Sequence, residues 1–194
     1  MSPRPKVALD KNEIITAAAE LANEFGSENV TLALLAKKLR IKPPSLYNHF
    51  DGLSGIKREL AIFSLEKLYS GLATAAAGRQ PGEEAVLAVS EAYFSFSRQN
   101  PGLYESALSA PDPADTEVYY AGKKIVELVV STIEPFGLKE DSAIHAVRGL
   151  RSIMHGFASL EQKGGFGLSL DLDDSYKLAV KAFLAGLNAW YISN

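Results

Sequence analysis

The sequence of 194 residues contains no cysteine, and no apolar run approaches the length of a membrane span. The absence of cysteine excludes a disulfide scaffold, thiolate catalysis and cysteine-ligated zinc or iron–sulfur sites. Because a span needs ~20 consecutive apolar residues, we expect no membrane-embedded segment. Arg4 and Lys6 have no apolar stretch behind them, so we expect no signal peptide either. Together these absences favour a cytoplasmic protein.

Charge is unevenly distributed along the chain, although the formal net charge is only −3. Residues 1–58 carry a net charge of +3, and residues 59–194 carry −6. Residues 37–58 contain six basic side chains and a single acidic one, Asp51. A short basic segment on an acidic body is typical of an end that faces nucleic acid, and a solvated helix face is the alternative.

Apolar residues recur at helical spacing along almost the whole chain, and no alternating run is bounded like a strand. A capping box at Asp10 and Glu13, and the glycines and prolines further on, divide this pattern into helices. The sequence therefore predicts an all-α fold of about nine helices. They are expected at residues 10–25, 31–39, 43–50, 53–77, 83–99, 101–110, 115–134, 139–163 and 173–192.

Three short helices within residues 10–50 form a helix-turn-helix candidate, because only Arg40 and Ile41 separate the second from the third. In such a motif the exposed face of the second helix of the pair enters the major groove of DNA. We expect the helix at about residues 43–50 to be this recognition helix. Its polar, aromatic and proline residues suit phosphate contacts, thymine-methyl packing and hydrogen bonds to base edges.

This segment resembles the N-terminal domain of the tetracycline-repressor-like (TetR) family of bacterial transcription regulators. The most specific part is PSLYNHF at residues 44–50, with an aromatic-x-histidine-aromatic ending before a long helix. The resemblance covers about residues 10–60. It implies a helix-turn-helix DNA-binding domain at residues 1–52 and an effector-binding and dimerisation domain at residues 53–194. Residues 149–157 resemble one C-terminal subtype of the family, the WHG type.

The resemblance also implies which residues contact DNA. Groove contacts are assigned to Lys42, Pro43, Pro44, Ser45 and Asn48, and phosphate contacts to Thr31, Tyr47 and His49. Tyr47 and His49 have a second interpretation, in which they pack the recognition helix onto the first and fourth helices.

Two positions depart from the family pattern. The turn before the recognition helix often has glycine, and here it has Arg40, for which a positive φ would cost on the order of 1 kcal/mol. Either the turn differs slightly, or Arg40 is tolerated there as a phosphate contact. The lysine that commonly touches a phosphate at the start of the fourth helix is replaced by Leu53. Lys57 or Arg58, one turn later, would compensate for its loss.

The last two helices are the expected dimer interface, because a helix-turn-helix protein typically spans two half-sites as a two-fold dimer. Both helices interleave small residues with apolar ones, although an ordinary intrachain core has the same pattern. The residues expected at the interface are Ala146, Leu150, Ile153, Phe183, Gly186, Leu187 and Trp190.

Aromatic residues are dense in the helices between the two ends, with few charges among them. Such stripes usually form core, and the alternative is a pocket for an apolar or aromatic small molecule. Arg148, Arg151 and His155 form a ladder on one helix face, which either binds an anion or pairs with acids across an interface. The residues expected to line an effector pocket are Tyr93, Phe94, Phe96, Tyr104, Tyr119, Tyr120 and Phe157.

The resemblance implies a ligand-responsive DNA-binding regulator, in the family's usual logic a repressor that a small effector releases from a palindromic operator. An activator would share these sequence features, and a helical binding or scaffold protein without a DNA role is the alternative from another class. No GxSxG, P-loop, HExxH or GxGxxG motif stands in a fitting context. His155 and Glu161 are not aligned at a spacing of six residues. We therefore expect no enzyme, no metal site and no cofactor.

Overall fold

The computed structural model describes residues 9–108 and 114–193, and within these ranges it contains helices and no strand. The all-α prediction is thereby confirmed. The predicted end of the sixth helix at residue 110 lies outside the described residues, as does the side chain of Trp190. The α-helices are α1 (Lys11–Phe25), α2 (Leu32–Leu39), α3 (Gly52–Ala76), α4 (Glu83–Gln99), α5 (Pro101–Leu108), α6 (Thr116–Thr132), α7 (Glu140–Gln162) and α8 (Leu172–Ser193).

The predicted third helix is a 3₁₀ helix at Pro43–Asn48, which we call the recognition segment. The two prolines lie in its first turn, where their missing N–H groups cost no hydrogen bond. With six residues it is longer than most 3₁₀ helices, which rarely exceed about four. Each of the nine predicted helices therefore has a counterpart, while this one has a tighter winding than expected.

The start of α1 follows from a local sequence signal. Asp10 accepts a hydrogen bond from the Glu13 backbone N–H at 2.7 Å, and the Glu13 carboxylate accepts one from the Asp10 N–H at 3.3 Å. This reciprocal pair satisfies two N–H groups that a helix start leaves without partners. Gly26 ends the helix with a φ of 89°, which favours glycine.

The described residues form two compact units, which divide the chain differently from the predicted boundary at residue 52. Unit 1 comprises residues 9–64 and 100–108, and unit 2 comprises residues 65–99 and 114–193. The first half of α3 and the whole of α5 therefore belong with the helix-turn-helix. The physical reason is that α5 packs against α1.

The contact between α5 and α1 combines hydrogen bonds with a very close backbone approach. The Asn23 side-chain oxygen accepts hydrogen bonds from the N–H groups of Gly102 and Leu103, both at 3.1 Å. Glu105 in turn accepts hydrogen bonds from the N–H and the hydroxyl of Ser27, both at 3.1 Å. A Cβ atom on Gly102 would overlap the carbonyl group of Ala22, so no larger residue fits this position.

In unit 2, aromatic packing joins α4 to α7 and α8. Tyr176 stacks on Phe94 with ring centroids 4.4 Å apart, and its hydroxyl donates to the Ser90 carbonyl at 2.7 Å. Burial raises the pKa of the Tyr176 phenol above its ordinary value. Arg98 lies over the Phe94 ring and pairs with Glu161 at 2.8 Å. Among the described residues, no helix has both the length and the hydropathy to cross a membrane.

We expect Gly102→Ala to lower the free energy of unfolding by about 2–4 kcal/mol, because the added methyl group must displace the backbone of α1. Urea denaturation followed by circular dichroism measures this change. Gly71→Ala is the matched control. Gly71 is exposed and lies away from both ends of α3, and an added Cβ meets no atom within 4 Å. This control should gain about 0.5–1 kcal/mol from helix propensity. Equal effects of the two substitutions would contradict the proposed role of the close approach.

Candidate nucleic-acid interface

Helix α2 is anchored in unit 1 through its apolar side and its ends. Leu35 and Ala36 are buried, while Lys38 pairs with Glu20 of α1 at 2.7 Å. Thr31 caps the helix by accepting a hydrogen bond from the Leu34 N–H at 3.2 Å. The Thr31 hydroxyl still has its own hydrogen to donate, so capping and a phosphate contact are compatible.

The turn after α2 keeps the left-handed conformation that glycine would favour, with arginine in its place. Arg40 has φ 56° and ψ 40°, and its N–H donates to the carbonyls of Ala36 and Lys37. The Ile41 N–H donates to the Ala36 carbonyl at 3.0 Å, which closes the end of the helix. Arg40 therefore does not alter the type of turn, and its side chain is exposed.

Two buried residues, Leu46 and Phe50, anchor the recognition segment to the core of unit 1; they are 1% and 6% exposed. With three residues per turn, side chains three apart lie above one another. Ser45 and Asn48 thus share one column, and Pro44 and Tyr47 share another. The predicted contact residues Lys42, Pro43, Pro44, Tyr47 and Asn48 are exposed, whereas Ser45 and His49 are half-buried.

Both interpretations of Tyr47 retain some support. Its side chain is 61% exposed, which leaves the hydroxyl accessible to a phosphate. One ring edge nevertheless lies 3.7 Å from the position that a Cβ atom of Gly52 would take, at the start of α3. Tyr47 thus packs partly against the beginning of that helix.

Some of the basic side chains between residues 37 and 58 form ion pairs with carboxylates of unit 1. Lys57, which was expected to compensate for Leu53, lies 3.0 Å from Glu28, and Arg58 pairs with Glu59 at 2.9 Å. Within the described residues, three exposed cations around the turn make no ion pair: Lys37, Arg40 and Lys42. Their side chains are available for phosphate oxygens. All three lie within six residues of one another, on either side of the turn.

Lys11 is a residue near this interface that the sequence did not indicate. Its ammonium group lies 5.5 Å from the centroid of the Phe50 ring, and it lines a groove of about 400 Å³ together with Tyr47, Asn48 and His49. This contact joins the first turn of α1 to the end of the recognition segment. No local pattern reveals such a contact, because the two residues are far apart in the chain.

The seven residues predicted to line an effector pocket differ in burial and are divided between the two units. Tyr93 and Phe94 are buried in unit 2, with Phe157 against Phe94. Phe96 is half-buried, while Tyr119 and Tyr120 are exposed on α6 and contact each other. Tyr104 is 1% exposed in α5, which belongs to unit 1 because α5 packs on α1, and its place in an effector pocket stays a prediction.

Three residues predicted at the dimer interface also require correction. Ala146, Leu150 and Leu187 are 5%, 1% and 7% exposed, so they lie in the core of the chain itself. Of the others, Ile153 and Phe183 are half-buried and Gly186 is exposed. The Phe183 ring occupies the space that Gly149 leaves open, since a Cβ there would come within 2.9 Å of the ring.

An exposed recognition segment beside a left-handed turn, next to three unpaired cations, defines a helix-turn-helix DNA-binding protein. Residues 14–59 match the family described as bacterial regulatory proteins, tetR family. Residues 86–183 match the tetracyclin repressor-like C-terminal domain. That description names no WHG subtype, so this part of the resemblance stays a prediction.

Known proteins resemble the chain along most of its length. It is 41% identical over 184 residues to YobS, an uncharacterized HTH-type transcriptional regulator of Bacillus subtilis, covering 94% of this chain and 95% of that protein. The fold matches a Rhodococcus protein of unknown function with a TM-score of 0.77 at 20% identity, covering 95% and 98% of the two chains. It also matches a TetR variant of Acinetobacter baumannii in complex with minocycline, with a TM-score of 0.63 at 20% identity, covering 94% and 98%.

The chain belongs to the tetracycline-repressor family of bacterial transcriptional regulators. Members of this family bind DNA operators and small-molecule ligands, and they act as dimers. The family and its relatives are regulators rather than enzymes.

Arg40→Gly should raise the free energy of unfolding by about 0.5–1 kcal/mol. Glycine removes the cost of a left-handed backbone, and this gain exceeds the added flexibility of the unfolded chain. Thermal and urea unfolding measure the change. Lys42→Gly is the control, because Lys42 has an ordinary φ of −86° and glycine there should lower the stability. A stabilisation of both variants, or of neither, would contradict strain at Arg40.

Proposed function

We propose that this chain is a cytoplasmic, dimeric repressor that binds a palindromic operator and is released from it by a small apolar or aromatic effector. The observation that carries the DNA-binding part is the exposed recognition segment beside the unpaired cations Lys37, Arg40 and Lys42. Cations of this kind neutralise phosphates and supply affinity that is independent of sequence. Exposed polar side chains on the segment supply discrimination between bases.

The two kinds of contact are assigned to different residues. Asn48 shares a column with Ser45, and its amide can pair with an adenine edge in the major groove. Lys42 precedes the segment and is a phosphate contact, as are Arg40 and the hydroxyl of Thr31. Tyr47 and His49 are the further phosphate contacts of this proposal, and Tyr47 also packs against the start of α3.

The two assignments predict different phenotypes. Asn48→Ala should cost about 1–3 kcal/mol on the operator and much less on a random duplex. Lys42→Ala should weaken binding to both duplexes about equally and lower the salt dependence by about one ion. Fluorescence anisotropy at several salt concentrations measures both, with an operator located by footprinting the genomic neighbourhood.

Lys124→Ala, an exposed cation of α6, serves as the control and should bind both duplexes like the unmodified protein. Equal losses by Asn48→Ala on operator and random DNA would overturn its assignment to base contacts. Binding to neither duplex by the unmodified protein would overturn the regulator proposal itself.

The dimer interface is assigned to the exposed side of α8 instead of the buried residues. Leu178, which is 67% exposed, shares this side with Ala182, Ala185 and Gly186. A glycine inside a helix costs ~1 kcal/mol relative to alanine. A Cβ at Gly186 would meet no atom within 4 Å, so nothing in the described chain explains this glycine. Close approach of a second copy does.

The loop before α8 extends this surface. Leu168 and Leu170 are 82% and 75% exposed, although the loop is fixed on both sides of them. Phe166 stacks on Phe157 with centroids 5.4 Å apart, and Asp171 caps α8 by accepting from the Asp173 N–H at 2.8 Å. Two ordered, outward-facing leucines are best accounted for by a partner that covers them.

Ala182→Arg should dissociate the dimer, because it introduces a long charged side chain where two copies are proposed to meet. We expect the dimer dissociation constant to rise at least about 100-fold, equivalent to ~2.7 kcal/mol, as measured by sedimentation equilibrium. Thr116→Arg introduces the same side chain at an exposed position of α6 and should leave the constant unchanged. A dimer that tolerates Ala182→Arg would exclude this side of α8 from the interface.

The proposed effector response depends on two covalent connections. Helix α3 runs from unit 1 into unit 2, and α4 of unit 2 leads directly into α5 of unit 1. A ligand that changes α4 or the second half of α3 therefore acts on segments that are covalently continuous with unit 1. Effector and DNA would then weaken each other reciprocally, commonly by ~1–3 kcal/mol. The minocycline complex of the Acinetobacter protein supports a small organic molecule as effector.

A further inference from the structure

A groove of about 1110 Å³ runs between α6 and α7 in unit 2. Its floor is apolar: Val126 and Val130 come from α6, and Ile144 comes from α7, all three half-buried. Half-buried aliphatic side chains in an open groove leave apolar surface that a ligand can cover. The only predicted effector residue along this groove is Tyr119.

Two arginines line one end of the groove. Arg148 and Arg151 are one helical turn apart on α7, both exposed, and neither makes an ion pair within the described residues. Arg98 of the same unit is different, because it pairs with Glu161 and Asp173 and lies over the Phe94 ring. Arg148 and Arg151 therefore present guanidinium groups that have no partner within the described chain.

The remaining charges of the groove are largely separated from the arginine pair. Lys123 is paired with Glu127 at 3.4 Å, so these two cancel each other. Glu140 and Asp141 lie in the first turn of α7, and Glu134 lies just before that helix. Asp141 precedes the arginines by 7 and 10 residues, or about 10–15 Å along the helix axis. The groove thus has a basic end, an apolar middle and an acidic end.

We propose that this groove binds an organic monoanion, a carboxylate with an apolar body. The carboxylate contacts Arg148 and Arg151, whose planar guanidinium groups match its two oxygens. The apolar body lies over Val126, Val130 and Ile144. The three acids at the far end disfavour a doubly charged ligand, since they oppose added negative charge. Binding in the groove does not depend on the proposed effector response; only its effect on DNA binding rests on that proposed function. The inference specifies the effector as anionic.

Calorimetric titration with decanoate, below its micelle-forming concentration, tests the groove without DNA. We expect decanoate to bind at least about tenfold more tightly than decanol, which has the same apolar body without the charge. The double variant Arg148→Gln/Arg151→Gln should bind the two compounds equally. Lys124→Gln, which removes a cation from α6 outside the groove, should bind decanoate like the unmodified protein.

Two measurements on the double variant separate the alternatives. Sedimentation equilibrium should show an unchanged dimer, whereas a weakened dimer would assign the arginines to the subunit interface and overturn the proposal. Equal binding of decanoate by the double variant and the unmodified protein would also overturn it. In the DNA assay, decanoate should release the unmodified protein and leave the double variant bound. If the unmodified protein binds no DNA, the regulator proposal fails, and the calorimetric result still decides the groove.

Discussion

The division of this chain into two compact units depends on the packing of α5 against α1. Gly102 allows the backbone of α5 to approach the carbonyl group of Ala22, and Asn23 supplies the acceptor for two N–H groups at the start of α5. Because of this contact, the chain that leaves unit 1 along α3 returns to it at residue 100. The DNA-binding unit is therefore built from two segments, and the second begins immediately after α4.

The recognition segment is short, and its position follows from a few neighbours. Leu46 and Phe50 fix its inner side, and Lys11 covers the Phe50 ring. Its two prolines restrict the backbone before any DNA contact is made. Arg40 holds the preceding turn in the left-handed conformation, which sets the direction in which the segment leaves α2.

Local signals predicted what local chemistry determines. The capping box of α1 is such a signal, because it depends on Asp10 and Glu13, three positions apart. The pairing of Asn23 with Gly102 spans 79 residues, and no periodicity reveals it. Apolar periodicity also could not distinguish residues buried within the chain from residues that contact a partner subunit. Ala146, Leu150 and Leu187 therefore proved to be core, while small residues such as Ala182, Ala185 and Gly186 are among those exposed on α8.

Carboxylates engage three of the six basic side chains that the sequence places between residues 37 and 58. Lys38, Lys57 and Arg58 are each engaged by a carboxylate of unit 1. The charge that remains lies at Lys37, Arg40 and Lys42, on either side of the turn that leads into the recognition segment. A phosphate attracted to these residues would lie next to the side chains that we propose to distinguish bases. Ion pairing within unit 1 therefore leaves the unpaired basic charge beside the proposed base contacts.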